Sequence, residues 1–291
     1  MLSRPAASMS RRCAITWIAV LIAASLGPPA LAADSAPEIR LYAMDCGHLD
    51  FKDLSFFSDT GDYDGKSGSL ADPCFLIRHP KGILLWDTGL SPEFARQGNP
   101  EAGISGGLDV PVTTQLQQAG LTAANVTFVA FSHFHADHTG NANLFAGSTW
   151  IINRDELAWA TGTPGPQPPG IVDPTTFSAY KTAKTKVIDG DYDVFGDGTV
   201  RILKAPGHTP GHQVLLLRLK KSGAVILAGD LYHFRHDREA RLVMTVNTQR
   251  ADSLASFDRI EKLAHNTHAR LIVQHDPEDF KSLPKFPAYL D

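Results

Sequence analysis

Residues 132–140 read Ser132-His133-Phe134-His135-Ala136-Asp137-His138-Thr139-Gly140. Three imidazoles and a carboxylate fall between His133 and His138. Zinc-type cations are held by imidazole nitrogen and carboxylate oxygen, and a catalytic site keeps one coordination position open. Immediately upstream, Val126-Thr127-Phe128-Val129-Ala130-Phe131 is apolar enough for a buried strand. The histidines therefore project from a strand end or the loop beyond it, close enough to share an ion. Histidines scattered on a surface loop account for one such residue, not for this density of ligand types.

Further along the chain, three more candidate ligands each follow an apolar run. They are His208 in Ala205-Pro206-Gly207-His208-Thr209-Pro210-Gly211-His212, Asp230 in Leu227-Ala228-Gly229-Asp230, and His275 in Val273-Gln274-His275-Asp276. Taken singly, each reads as a cap or a turn residue.

Apolar runs predict strands at Cys74–Ile77 and Gly82–Trp86, joined by a His79-Pro80-Lys81-Gly82 turn, and at 126–131, 149–153, 200–203, 214–219 and 224–228. Helices are expected at 112–118, 154–160 and 251–264; in the last, Leu254, Phe257, Ile260, Leu263 and Ala264 fall on one face. Strands alternating with helices favour a layered α/β domain with mixed sheets. The Pro-rich segment 161–173 reads as a surface excursion.

The seven residues His133, His135, Asp137, His138, His208, Asp230 and His275 together resemble the metallo-β-lactamase superfamily, whose pattern is HxHxDH followed by a distant His, an Asp and a last His. The resemblance implies a four-layer αββα sandwich with two mixed β-sheets and the metals at one edge. Within the superfamily the chain is most similar to the N-acyl-homoserine lactonases. Arg40-Leu41-Tyr42 resembles their first strand, Asp87-Thr88-Gly89 their DTG corner, and Gly207-His208-Thr209-Pro210-Gly211-His212-Gln213 their second metal loop.

That resemblance implies two Zn(2+) per chain, other divalent metals being possible. His133, His135 and His208 would hold one, Asp137, His138 and His275 the other, and Asp230 would bridge them. Hydroxide between the metals would attack a lactone or related ester, and Asp137 would pass a proton to the leaving alkoxide. Such an enzyme would act in quorum quenching. Alternatives are a thioesterase of the glyoxalase II kind, a β-lactam hydrolase, and a non-catalytic secreted zinc-binding protein. Asp230 stands where true metallo-β-lactamases usually carry Cys or Ser, and only about 16 residues follow His275, short of the helical extension of glyoxalase II.

One departure concerns the substrate carbonyl. The lactonases often place Tyr three residues after the bridging Asp; here Tyr232 is second and His233 third. Either could donate a hydrogen bond, and strand alternation would send only one inward. Asp87 is a candidate partner for a metal-bound imidazole or a turn cap, and His212 a similar partner or a plain loop residue. The segment His48–Lys66, with Phe51, Phe56 and Phe57, reads as a flap over the metals or as aromatic anchors for a loop.

The N-terminus reads as a segment to be removed. Arg4, Arg11 and Arg12 precede an apolar run, Ala14–Leu26, and Ala30-Leu31-Ala32 is a cleavage signal. Residues 1–32 are thus expected to be a cleaved signal peptide, by the general or the twin-arginine route, leaving 33–291 as a single hydrolase domain, periplasmic or secreted, with no stable membrane anchor. Lys+Arg then falls from 27 to 24 against 31 Asp+Glu, so the net charge moves from −4 to −7. An acidic chain disfavours a nucleic-acid partner; the expected partner is a small lactone or ester. Cys46 and Cys74 remain as a disulfide or as two buried thiols.

Overall fold

The structure is a computed structural model that describes residues 1–2, 37–163, 165–166 and 170–291. The expected signal peptide, apart from its first two residues, and four positions of the Pro-rich segment lie outside the described residues. Ala36–Asp291 forms one compact unit.

The N-terminal half builds a seven-stranded sheet. In chain order it contains β1 (Arg40–Phe51), β2 (Gly68–His79), β3 (Gly82–Trp86), the helix α1 (Pro92–Gln97), β4 (Ile104–Gly107), α2 (Val112–Gln118), β5 (Phe128–Ala130), the one-turn helix α3 (Ala136–Thr139), β6 (Thr149–Asn153), α4 (Arg154–Ala160) and β7 (Lys184–Ile188). Its spatial order is β4-β1-β2-β3-β5-β6-β7. The first four strands in that row pair antiparallel, and β3, β5, β6 and β7 pair parallel.

The C-terminal half builds the second sheet from β8 (Tyr192–Asp193), β9 (Val200–Lys204), β10 (Gln213–Leu219), β11 (Gly223–Leu227), α5 (Arg235–Ala240), α6 (Arg250–Thr267), β12 (Arg270–Ile272) and α7 (Pro277–Lys281). Its order is β12-β11-β10-β9-β8, with only β11 and β12 parallel. Both sheets are therefore mixed, as expected.

The core lies between the sheets, where Phe75, Ile77, Leu84 and Trp86 of the first meet Ile202, Leu215, Leu217 and Leu227 of the second. Each outer face is covered too. Val112 and Leu116 of α2 pack on the first sheet, and Phe257, Ile260 and Ala264 of α6 on the second. Apolar residues at helical spacing put one stripe of α6 inward. The result is the αββα sandwich.

The structure also departs from the sequence reading. β1 and β2 each run to 12 residues, so His48 to Phe51, expected in a flap, belong to a strand that pairs with both β2 and β4. Polar Asp45, His48 and Asp50 broke the apolar pattern there. Cys46 and Cys74 are joined as a disulfide with Cα atoms 5.6 Å apart, within the usual bridging range. Among the described residues no helix is long and apolar enough to cross a membrane.

Candidate metal centre

The loops that follow β3, β5, β9, β11 and β12 converge at one edge of the sandwich. Asp87, after β3, takes a left-handed conformation (φ 57°). Its Oδ1 accepts the Ser132 N–H at 2.6 Å, and its Oδ2 accepts Gln274 Nε2–H at 2.8 Å and faces His138 Nδ1 at 3.1 Å. The loop after β5 is clamped again from Thr88, whose N–H and hydroxyl both donate to His138 O.

These clamps aim ring nitrogens at a single carboxylate. Asp230 Oδ2 lies 3.2 Å from His208 Nε2 and 3.6 Å from His133 Nε2, while His208 Nε2 is 3.1 Å from His135 Nδ1. On the other side, Asp230 Oδ1 is 3.1 Å from both His138 Nε2 and His275 Nε2. Asp137 Oδ2 completes this side at 3.7 Å from His138 and 3.9 Å from His275. The ligand-type atoms thus form two groups: His133, His135, His208 and Asp230 in one, and Asp137, His138 and His275 in the other. Each oxygen of Asp230 faces a different group. All seven expected ligands are brought together.

The donor set fits a metal cofactor. His133 Nε2 is buried without a hydrogen-bond partner among the described residues, and a buried polar atom left so is costly. Burial, helped by neighbouring imidazoles, holds His133 and His135 well below the ordinary histidine value, so both rings are neutral and carry free lone pairs. Burial acts the same way on His138 and His275, but Asp230 and the other carboxylates outweigh it. His138 stands well above its ordinary value and His275 at about 9. These ring nitrogens thus face a carboxylate at 3.1 Å, a gap in which a cation would take the place of a proton.

The far ring nitrogens are also satisfied. His275 Nδ1 pairs with Ala71 O at 2.7 Å, His208 Nδ1 with Asn247 Oδ1 at 2.8 Å, and His133 Nδ1 with Ser132 Oγ at 3.0 Å. Such outer partners fix tautomer and ring direction. His212 belongs to this layer: burial lowers it to about 3, its Nδ1–H donates to Ala205 O, and its Nε2 accepts the Asp230 N–H at 2.9 Å.

Tyr232 and His233 diverge. Tyr232, expected as one of two candidate carbonyl donors, packs its ring 4.5 Å from Phe257 within the outer core of the second sheet, away from the centre. His233 points the other way. Its Nε2 is 3.0 Å from Asp230 Oδ2, its ring is edge-on to Phe57 at 5.0 Å, and it lines the cavity beside the ligands. That cavity has a volume of about 430 Å³. Apart from the ligands its wall is chiefly apolar, with Phe51, Phe56, Phe57, Phe94, Ile104 and Met244 prominent. The three phenylalanines of the expected flap therefore both pack on one another and face the cavity.

Several contributors were invisible in the sequence. Glu156, read only as part of a helix, is buried at the centre and hydrogen-bonded to two ligand loops. Asp72 is buried on β2 with neither carboxylate oxygen partnered among the described residues, and its carboxyl is raised well above the ordinary value by burial and then by Asp137. Gln274 and Asn247 act through side chains whose targets lie far away in sequence.

A metal-binding His/Asp cluster at the edge of a two-sheet αββα sandwich defines a class of metal-dependent hydrolases. The chain belongs to the metallo-beta-lactamase superfamily, whose family model matches residues 70–275, and within it to the family of N-acyl homoserine lactonases. It is 33% identical over 269 residues to the N-acyl homoserine lactonase AttM of Azorhizobium caulinodans, covering 87% of this chain and 99% of that protein. It is 28% identical over 235 residues to the N-acyl homoserine lactonase AiiA of Bacillus thuringiensis subsp. kurstaki, covering 78% and 89%. Among solved structures it resembles an N-acyl homoserine lactone hydrolase with the product N-hexanoyl-L-homoserine at its catalytic metal centre, with a TM-score of 0.76, 25% identity, and coverage of 86% of this chain and 98% of that one. A Bacillus thuringiensis AiiA variant with N-decanoyl-L-homoserine in its active site has a TM-score of 0.75 at 25% identity and the same coverage.

Proposed function

We propose that this chain opens the ring of N-acyl-homoserine lactones or closely related lactone esters, with two zinc ions held across Asp230. The observation that carries this reading is the division of that carboxylate, one oxygen toward His133 and His208 and the other toward His138 and His275. A mononuclear structural zinc site has no use for a carboxylate so divided. His133, His135 and His208 would hold one ion, and Asp137, His138 and His275 the other. Divalent cations held by these residues would supply an acidified water and polarisation of an ester carbonyl.

The chain's own residues supply the rest. The apolar cavity accommodates an acyl chain and excludes bulk water from the ester. His233 is on the cavity wall with its Nε2 3.0 Å from Asp230 Oδ2; with metal on that carboxylate its ring N–H would be free to turn to a substrate oxygen. Asp137 is the cluster's carboxylate open to the cavity, with its side chain 20% exposed. It is therefore positioned to take up the proton that the attacking water releases and pass it to the departing alkoxide. The reading of 1–32 as a cleaved signal and 33–291 as an exported hydrolase domain is part of the proposal; a disulfide between Cys46 and Cys74 supports an oxidising compartment.

Proton release by zinc-loaded protein, measured on lactones of graded acyl length beside the Asp230→Asn variant, tests the activity. Turnover lost in the variant supports the proposal. Silence on every lactone, with metal bound, would leave the thioester and β-lactam alternatives.

A further inference from the structure

Glu156 occupies no ligand position, yet it touches two of the loops that carry ligands. It sits in the first turn of α4, 2% exposed. Its Oε1 accepts the N–H of Phe134 at 2.8 Å, and Phe134 stands between His133 and His135. Its Oε2 accepts the Thr209 hydroxyl at 2.6 Å and the Gly211 N–H at 3.0 Å, on the residues just past His208. The start of α4 is itself fixed, because Asn153 Oδ1 accepts the N–H groups of Asp155 and Glu156. The approach is so close that a Cβ at Gly211 would collide with the Glu156 backbone nitrogen and Cβ.

The other half of the centre depends on a different carboxylate. Asp87 meets His138 directly and Gln274, the neighbour of His275, through its amide, and its other oxygen accepts the N–H of Ser132 at the start of the shared loop. Among the described residues Glu156 makes no hydrogen bond to Asp137, His138 or His275.

We propose that Glu156 is a positioning residue for one half of the centre: by bridging residues 133–135 to residues 208–211 it sets the spacing of His133, His135 and His208, leaving His138 and His275 to Asp87. This rests on the metal-site reading given above. A ligand contributes full affinity only when it is held in place before the cation arrives, and losing an outer partner of ligands typically lowers affinity about 10–100-fold.

Cobalt(II), titrated into the full chain under chelator competition and followed by visible absorption, is a suitable probe. His275→Ala leaves the His133–His135–His208 half to be read, and His208→Ala leaves the other. Glutamine at 156 keeps the size but turns one acceptor oxygen into a donor, so one loop loses its anchor. Glu156→Gln is expected to weaken cobalt binding at least about tenfold in the His275→Ala background and less than about twofold in the His208→Ala background. Thr209→Val, which leaves the carboxylate intact, should give a smaller loss confined to the same background, and it carries the test if Glu156→Gln does not fold. Equal weakening in both backgrounds, or none in either, overturns the assignment. An unsubstituted chain that binds no cobalt would overturn the metal-site reading itself and this inference with it.

Discussion

The Nε2 of His233 lies 3.0 Å from Oδ2 of Asp230, the oxygen that faces His133 and His208. One ring thus touches both the shared carboxylate and the cavity, while its backbone N–H is held by Asp237 Oδ2 at 3.0 Å. Removing one well-placed donor to a developing charge typically costs about 10²–10³ in kcat. His233→Ala is accordingly expected to lower kcat about 100-fold with KM nearly unchanged and metal content intact, and His233→Tyr to recover part of the loss. Steady-state kinetics with metal analysis decides this; a loss of metal matching the loss of rate would make His233 a site-builder instead.

Met244 lines the apolar cavity at a half-buried position. Met244→Trp narrows the space for an acyl chain without touching the ligands. KM for an N-decanoyl lactone should rise about fivefold, roughly 1 kcal/mol, with the N-butanoyl lactone within about twofold. A uniform change across chain lengths would mean that the chain does not enter this cavity.

The Cys46–Cys74 disulfide closes a sequence separation of 28 residues. Chain-entropy arguments give such a loop about 3–4 kcal/mol of stabilisation. Thiol titration of unreduced protein lacking residues 1–32 should find no free thiol, and reduction should lower the melting temperature. Two titratable thiols would refute the bridge.

Asp197 braces the β2–β3 turn. Burial alone would raise its carboxyl, but hydrogen bonds from Thr199 and Lys81, together with His79, outweigh it and lower it to about 2. A depressed carboxyl contributes stability above its ordinary value of 3.8 that is lost as pH falls through about 2. Asp197→Asn should therefore cost about 1 kcal/mol at neutral pH, after allowing for solvent screening. The gap between variant and unsubstituted protein should hold from pH 7 to about pH 4 and narrow as melts are taken down toward pH 2; a gap independent of pH would assign the loss to packing.

The ligands were legible because their chemistry is local. His133, His135, Asp137 and His138 lie within one strand-end loop, and His208, Asp230 and His275 each end an apolar run. The buried strands β3 and β6 and the helices α2 and α4 matched their expected bounds for the same reason: side-chain periodicity is written residue by residue. Short or polar elements such as β4, β8 and α5 carry too few apolar positions to stand out and exist only through their neighbours.

What the amino-acid order determined by itself was the set of ligand-type residues, the alternation of strands and helices, and the resemblance that follows from both. What only the tertiary structure decided was direction and pairing. It turned Tyr232 into the core and His233 toward the cavity, joined Cys46 to Cys74, divided Asp230 between two groups of nitrogens, and carried the Glu156 carboxylate to residues 22 and 53 positions away. Such contacts depend on how two sheets pack and how five loops meet, and no periodicity along the chain encodes a distance between residues that far apart.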